Sequence, residues 1–173
     1  MPLNKYAPQV ATHRRTQEAI LEATKQLIAT TGLKKMSMIE IADVSEVSRA
    51  TLYNHYRDKD SVIRALCESQ LAHLVGVAQA APDVTSALEQ VSILISKDSA
   101  LAAMRAQDPD LLTIALSAQH DTLWTAFSIA LSNLLGVEKS ELAIRWLIGQ
   151  VLHPITPAQS RSQAESIAGF ENL

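Results

Sequence analysis

Apolar residues recur at three- and four-residue intervals along almost the whole chain. In residues 16–31, Ile20, Ala23, Leu27 and Ile28 share one face, with Thr24 and Thr31 on the same side. That spacing predicts an amphipathic helix. Gly32 follows where a left-handed C-terminal cap is expected. Met38, Ile41 and Ala42 give a short second helix its inward face, and Ser37 is placed to cap it. The connection Ser45-Glu46-Val47-Ser48 leads to a third short helix, about residues 49–55, with Ser48 as its N-cap. Asp58 is placed to cap a long fourth helix. There Ile63, Leu66, Cys67, Gln70, Leu74 and Val77 are spaced by three or four, which puts Cys67 on the packed side.

From Ala81-Pro82 onward the pattern stays helical. Residues 84–96 and 99–107 read as two helices. Asp108-Pro109 is an acidic cap followed by proline at the first helical position, and it starts a helix read as running to Leu135 and stopping at Gly136. Residues 141–152 and 157–172 form the last pair, with Thr156 as a cap. No period-two alternation, fixed repeat or low-complexity tract is present. The pattern therefore predicts an all-α chain of about nine helices. It comprises a flexible, basic N-terminal arm (1–15), a three-helix helix-turn-helix domain (16–58) and a larger helical domain (59–173).

Composition narrows the function. At 173 residues and 47% hydrophobic, the chain is long enough to bury a sizeable core. No apolar run reaches the ~18–20 residues of a membrane span, so no membrane partner is expected. The first fifteen residues lack the apolar stretch of a secretory signal. A single cysteine rules out an internal disulfide, and a reducing, cytoplasmic setting follows as the expectation. The five histidines do not cluster with Cys67 or with each other at ligand spacing, so no metal is expected. Neither a nucleophile elbow nor a phosphate or dinucleotide glycine loop is present, which argues against an enzyme and against a cofactor.

The net charge of −3 at first argues against nucleic acid. Its distribution does not. Residues 1–60 carry nine Lys/Arg against seven acids, and residues 61–173 carry six against eleven. The mildly basic part also holds the most unusual stretch. The chain is 4% aromatic, yet two of its three tyrosines lie within Tyr53-Asn54-His55-Tyr56.

Two short helices joined by a tight turn, the second rich in hydrogen-bonding groups, match the helix-turn-helix pattern. Val47, Ala50 and Leu52 are apolar and suited to pack inward, whereas Arg49, Thr51, Tyr53, Asn54 and His55 are read as pointing outward. Thr51 suits a base edge or a phosphate, and Asn54 suits an adenine edge. Tyr53 and His55 can donate to phosphate oxygens. Ser37 and Ser48, the helix caps, complete the expected DNA-facing set. Lys59 lies in the first turn of the fourth helix, where a cation is unfavourable unless a phosphate binds there. Tyr56 is read as a core aromatic.

These residues carry a resemblance. Ser37-Met38-Ile39-Glu40-Ile41-Ala42, then Val47-Ser48-Arg49-Ala50-Thr51-Leu52-Tyr53-Asn54-His55-Tyr56, then Lys59-Asp60-Ser61-Val62-Ile63 closely resemble the DNA-binding domain of tetracycline-repressor-like (TetR family) transcriptional regulators. The resemblance covers about residues 16–66, and beyond residue 81 only the architecture is similar. It matches Thr51, Tyr53, His55 and Lys59 to the family's phosphate and groove contacts. It puts Arg49 and Asn54 at variable positions that tune sequence choice, and Arg14 and Arg15 where family arms approach DNA. In two places the chain departs from the pattern. Tyr56 replaces a usual Phe, and Ser45-Glu46 replaces a turn that usually contains Gly, which costs about 1 kcal/mol if Glu46 takes a positive φ.

The resemblance further implies a homodimer with a ligand-binding and dimerisation domain, in which a small apolar or amphipathic ligand releases a repressor from a near-palindromic double-stranded DNA operator. Expected interface residues are Leu142, Trp146, Leu147, Ile167 and Phe170. Expected pocket residues are Met104, Arg105, His120, Trp124 and Phe127. The competing reading makes Trp124 and Phe127 core residues and pairs Arg105 with Asp108 or Asp110. Alternatives at the level of function are a regulator without a small-molecule inducer and an interaction scaffold that no longer binds DNA.

Overall fold

The computed structural model describes residues 7–117 and 122–169, with side chains from residue 11 onward. Among the described residues there are ten helices and no strand. They are α1 (Ala7–Thr31), α2 (Met38–Val44), α3 (Arg49–His55), α4 (Lys59–Ala80), α5 (Val84–Lys97), α6 (Ser99–Gln107), α7 (Pro109–Ser117), α8 (Thr122–Leu135), α9 (Val137–Leu152) and α10 (Pro157–Ala168). The helix expected from Pro109 to Leu135 corresponds to α7 and α8, which flank residues outside the described part. α1 begins nine residues before the expected start, inside the stretch read as a flexible arm. Two features favour the extension: a proline in a first turn removes no helical hydrogen bond, and Arg14 pairs with Glu18 one turn on, at 3.2 Å.

Two compact units divide the chain between Cys67 and Glu68, inside α4 and not ahead of it. In the first unit, Ile20, Leu21, Ala23, Thr24, Leu27 and Ile28 form the buried face of α1. The Thr24 hydroxyl is silenced there by donating to the Ile20 carbonyl at 2.7 Å. Ile41 and Ala42 from α2, Leu52 from α3, and Val62 and Leu66 from α4 are also buried. Burial of the last two explains why the first turns of α4 belong to this unit. Cys67, expected on the packed side, is exposed.

The second unit is built around α5. Its buried positions Ala87, Leu88, Val91 and Ile95 join Phe127, Leu131 and Leu135 of α8, Ala143 and Leu147 of α9, and Ala164 and Ile167 of α10 in one apolar cluster. A polar group lies among them. Ser92, Gln150 and Ser160 are each at most 2% exposed. With its amide nitrogen toward Ser92, Gln150 donates to the Ser92 hydroxyl at 2.6 Å and accepts from Trp146 Nε1 at 3.1 Å. The Ser92 hydroxyl then donates to Ser160 Oγ at 2.7 Å. This network joins α5, α9 and α10, and buried polar groups are tolerable because each has a partner. Gln150→Leu removes the donor to Ser92, leaving Trp146 Nε1 to Gln163 Oε1 and Ser92 to Ser160, and should cost about 1 kcal/mol. The expected signature in urea is a lower unfolding midpoint at unchanged slope; a full-strength midpoint would show the network to be dispensable.

Candidate nucleic-acid interface

α3 is held by its underside. Leu52 is fully buried and Tyr56 is 8% exposed. Tyr56 also closes the helix, its backbone N–H bonding to the Leu52 carbonyl at 2.8 Å. On the opposite side Arg49, Ala50, Tyr53 and Asn54 are all exposed. At about 100° per residue these four positions form one continuous face. Ala50 belongs to that face, which corrects its reading as a packing residue; the wheel position between Tyr53 and Asn54 was the signal. Thr51 is half-buried at its margin, and His55 is half-buried at the C-terminal end of the helix.

The serines expected to face DNA act first as caps. Ser48 Oγ accepts from the Thr51 N–H at 3.0 Å and shares a 2.8 Å hydrogen bond with the Thr51 hydroxyl. Ser37 and Glu40 form a reciprocal capping box at the start of α2. In it, the Ser37 hydroxyl and backbone N–H both donate to Glu40 Oε2, at 2.7 and 2.8 Å.

The α2–α3 turn places Glu46 at φ 56°; among the described residues no other non-glycine takes a positive φ. The reason is visible in the backbone. The N–H of Val47 reaches the Ala42 carbonyl at 3.1 Å and that of Glu46 reaches Asp43 at 3.3 Å. This is the Schellman pattern, whose left-handed residue is usually glycine. All its hydrogen bonds are present, so Glu46 does not distort the turn. It occupies a conformation that costs a side-chain-bearing residue about 1–2 kcal/mol.

Lys59 departs from expectation. Its ammonium donates to the carbonyls of Leu33 at 2.8 Å, Met36 at 2.9 Å and Lys34 at 3.3 Å. An ammonium has three N–H groups, and all three are used inside the unit. Lys59 is therefore a tie between the start of α4 and the segment after α1, and not an available phosphate ligand. Beside it, Asp58 caps α4 by accepting from the Ser61 N–H at 2.8 Å. That bond, then those from Arg57 and the Ser61 hydroxyl, hold its carboxyl below the usual carboxylate range. The Arg57 guanidinium bonds Asp58 at 3.0 Å. His55 stacks on His13 of α1 with ring centroids 4.1 Å apart. Partial burial, then the His13 charge, lower the His55 pKa from its ordinary value. Sequence reading gave His13 no role, because nothing local relates positions 13 and 55.

Residues 20–66 match the family described as bacterial regulatory proteins, tetR family. The N-terminal unit is a TetR-family DNA-binding domain. Solved structures share the fold over most of the chain. TetR family repressor AlkX from Dietzia sp. strain DQ12-45-1b, implicated in biodegradation of n-alkanes, is 19% identical with a TM-score of 0.62, over 88% of this chain and 92% of that one. The dihydroxyacetone kinase operon activator DhaS is 12% identical with a TM-score of 0.62, over 88% and 93%. The transcriptional regulator FadR from Bacillus subtilis, solved with stearoyl-CoA, is 15% identical with a TM-score of 0.52, over 88% and 97%. At these identities the likeness extends the TetR-like fold to the second unit. No curated protein matches the sequence.

In the second, TetR-like unit the expected regulatory residues separate. Phe127 is buried in the core and Trp124 packs edge-on against it, centroids 6.2 Å apart. Met104 is half-buried. Arg105 donates to the Val151 carbonyl at 2.9 Å, in the last turn of α9, in place of the expected pairing with Asp108 or Asp110. A cation suits that helix end. Of the expected interface residues, Leu147 and Ile167 are buried within the chain, at 3% and 7% exposure. Trp146 is half-buried, and Leu142 is exposed. His120 and Phe170 lie outside the described residues. The outer face of α10 is polar, and Arg161 there bridges Glu89 of α5 and Glu165. Exposed apolar side chains are carried by α8 and α9, at Ile129, Val137, Leu142 and Leu152, with Leu94 on α5 and Ile114 on α7.

Two substitutions test this geometry. Glu46→Gly relieves the left-handed strain, less the extra freedom glycine brings to the unfolded chain. A net gain of about 0.5–1 kcal/mol is expected in thermal or urea unfolding, and a loss would mean that the Glu46 side chain makes a contact worth more than the strain. Lys59→Met should cost about 1.5–3 kcal/mol, the scale of hydrogen bonds made by a charged donor. It should leave the slope of log K for DNA against log salt unchanged, whereas a slope flattened by about one unit would restore a phosphate role.

Proposed function

We propose that this protein is a homodimeric transcriptional repressor that binds a near-palindromic DNA operator through α3. The observation that carries the reading is the exposed face Arg49–Ala50–Tyr53–Asn54 on a helix anchored by Leu52 and Tyr56. Arg49 and Asn54 carry the bidentate chemistry that reads guanine and adenine edges, and the Ala50 methyl suits a thymine methyl. Tyr53, Thr51 and His55 serve the phosphate backbone. Arg14 and Arg15, on α1, add positive charge to the same unit.

A second copy of the chain is the partner we assign to the apolar side chains of α8 and α9. Leu142 keeps its interface role, while Leu147 and Ile167 pass to the core. Release by a small apolar or amphipathic ligand in the second unit, and a cytoplasmic location, complete the proposal. Met104 and Trp124, both half-buried, are the pocket candidates that remain accessible to such a ligand.

Gel-shift with the DNA flanking the protein's own coding sequence is the direct test, with sedimentation giving the oligomeric state in the same samples. Asn54→Ala should relax selectivity at one or two base pairs by about 1–3 kcal/mol. Uniform weakening on every sequence would confine Asn54 to backbone contact. A wild-type chain that shifts no flanking fragment in low salt would rule out the repressor reading in favour of an interaction scaffold.

A further inference from the structure

One pair of titratable side chains gains significance from the fold alone. His13 on α1 and His55 on α3 stack with ring centroids 4.1 Å apart and planes 20° from parallel. The Tyr56 ring lies 6.2 Å from His55, tilted by 36°. His55 is half-buried at the C-terminal end of α3, and His13 is exposed on α1. The stack therefore reaches solvent at that end of α3.

Two imidazoles this close can hold one positive charge between them. A second charge meets like-charge repulsion, strongest where water is excluded. His55 already titrates below the ordinary histidine value, through partial burial and the His13 charge. The other charged groups on the two elements and just after α3 are placed differently. Arg14 is paired with Glu18 at 3.2 Å, and Arg57 with Asp58 at 3.0 Å. Arg15 is exposed on α1, and Arg49 is exposed at the far end of α3. Burial, and after it the His13 charge, make His55 give up its proton more readily than an ordinary histidine.

We propose that His13 and His55 form a single proton-taking contact for a backbone phosphate of duplex DNA, so that binding DNA takes up a proton. The inference rests on the DNA-binding reading above. A phosphate beside the stack stabilises the imidazolium through a charge-assisted hydrogen bond. It raises the pKa of His55 in the complex above its value in the free protein. The sign follows: affinity is greatest below the free-state value and is lost as pH rises through the higher value of the complex. His13 thereby becomes a DNA contact that acts through the charge it shares with His55.

Phosphate contacts do not depend on sequence, so a fluorescein-labelled duplex of mixed sequence at low salt serves as the probe. Anisotropy titrations of the full chain at pH 6, 7 and 8, at constant ionic strength, should show binding tightening toward acid. The expected slope approaches about tenfold per pH unit for one proton. Calorimetry in two buffers of different ionisation enthalpy should count about one proton taken up. In His13→Gln and His55→Gln, each shown by circular dichroism to be folded, slope and proton count should drop by at least half. Intact binding with a flat pH profile overturns the proposal. So does a full slope in His13→Gln, or binding that weakens toward acid, which would mean that charging the stack displaces α3. A wild-type chain that binds no duplex at any pH overturns the DNA-binding reading, and this proposal with it.

Discussion

The N–H of Val47 bonds to the Ala42 carbonyl across the α2–α3 turn at 3.1 Å, and this closure sets the direction in which α3 leaves α2. A recognition helix needs that direction fixed, because its contacts with a groove depend on which four or five side chains it presents. Closing the turn requires one left-handed residue, and the chain has Glu46 there at φ 56°. The hydrogen bonds are nonetheless complete. The cost of a side chain at that position therefore appears as lost stability and not as an altered angle.

Lys59 fastens the same unit from the other side. Its three carbonyl partners, in residues 33–36, belong to the segment between α1 and α2. A cation in the first turn of α4 opposes that helix's dipole, and the cluster of carbonyls compensates for it. The consequence for DNA binding is electrostatic. With Lys59 directed inward, its charge is not offered to a phosphate, and the exposed cations of the same unit are others, among them Arg15, Lys34, Lys35 and Arg49. A protein with a net charge of −3 has little attraction to spare at long range, which makes a charge acquired on contact more valuable than it would be on a strongly basic surface.

Local periodicity located the helices of the first unit and most of their caps and buried faces. Ile20, Ala23, Leu27, Ile41 and Leu52 are where a 3.6-residue repeat places them. Positions whose role depends on a distant partner were not legible in this way. Lys59 looked like a phosphate ligand because its carbonyl partners are more than twenty residues away. The stack of His13 on His55 joins two helices forty-two residues apart in sequence. Ala50 failed for a different reason: alanine is tolerated on either side of a helix, so residue type said nothing and only its angular position did. The extension of α1 to Ala7 was missed because residues 1–15 carry no apolar repeat, although a proline in the first turn is accommodated.

The second unit shows how far a pattern of apolar residues can carry. The stretch that became α9 was apolar on more than one face, which requires covering on more than one side. Its own subunit supplies part of the cover: Ala143, Leu147 and Gln150 face α5, α8 and α10 inside the cluster. Leu142 and Leu152 remain exposed, together with Ile129 on α8 and Val137 at the start of α9. The sequence pattern could say that two sides were apolar, but not which would be satisfied within the chain. Burial divides them. Leu147 and Ile167 cannot hold a partner they do not reach, and the outer face of α10 is largely polar, with Arg161 bridging Glu89 and Glu165. An interface built on the α8–α9 hairpin uses the side chains that the core leaves uncovered, and it asks nothing of residues already buried.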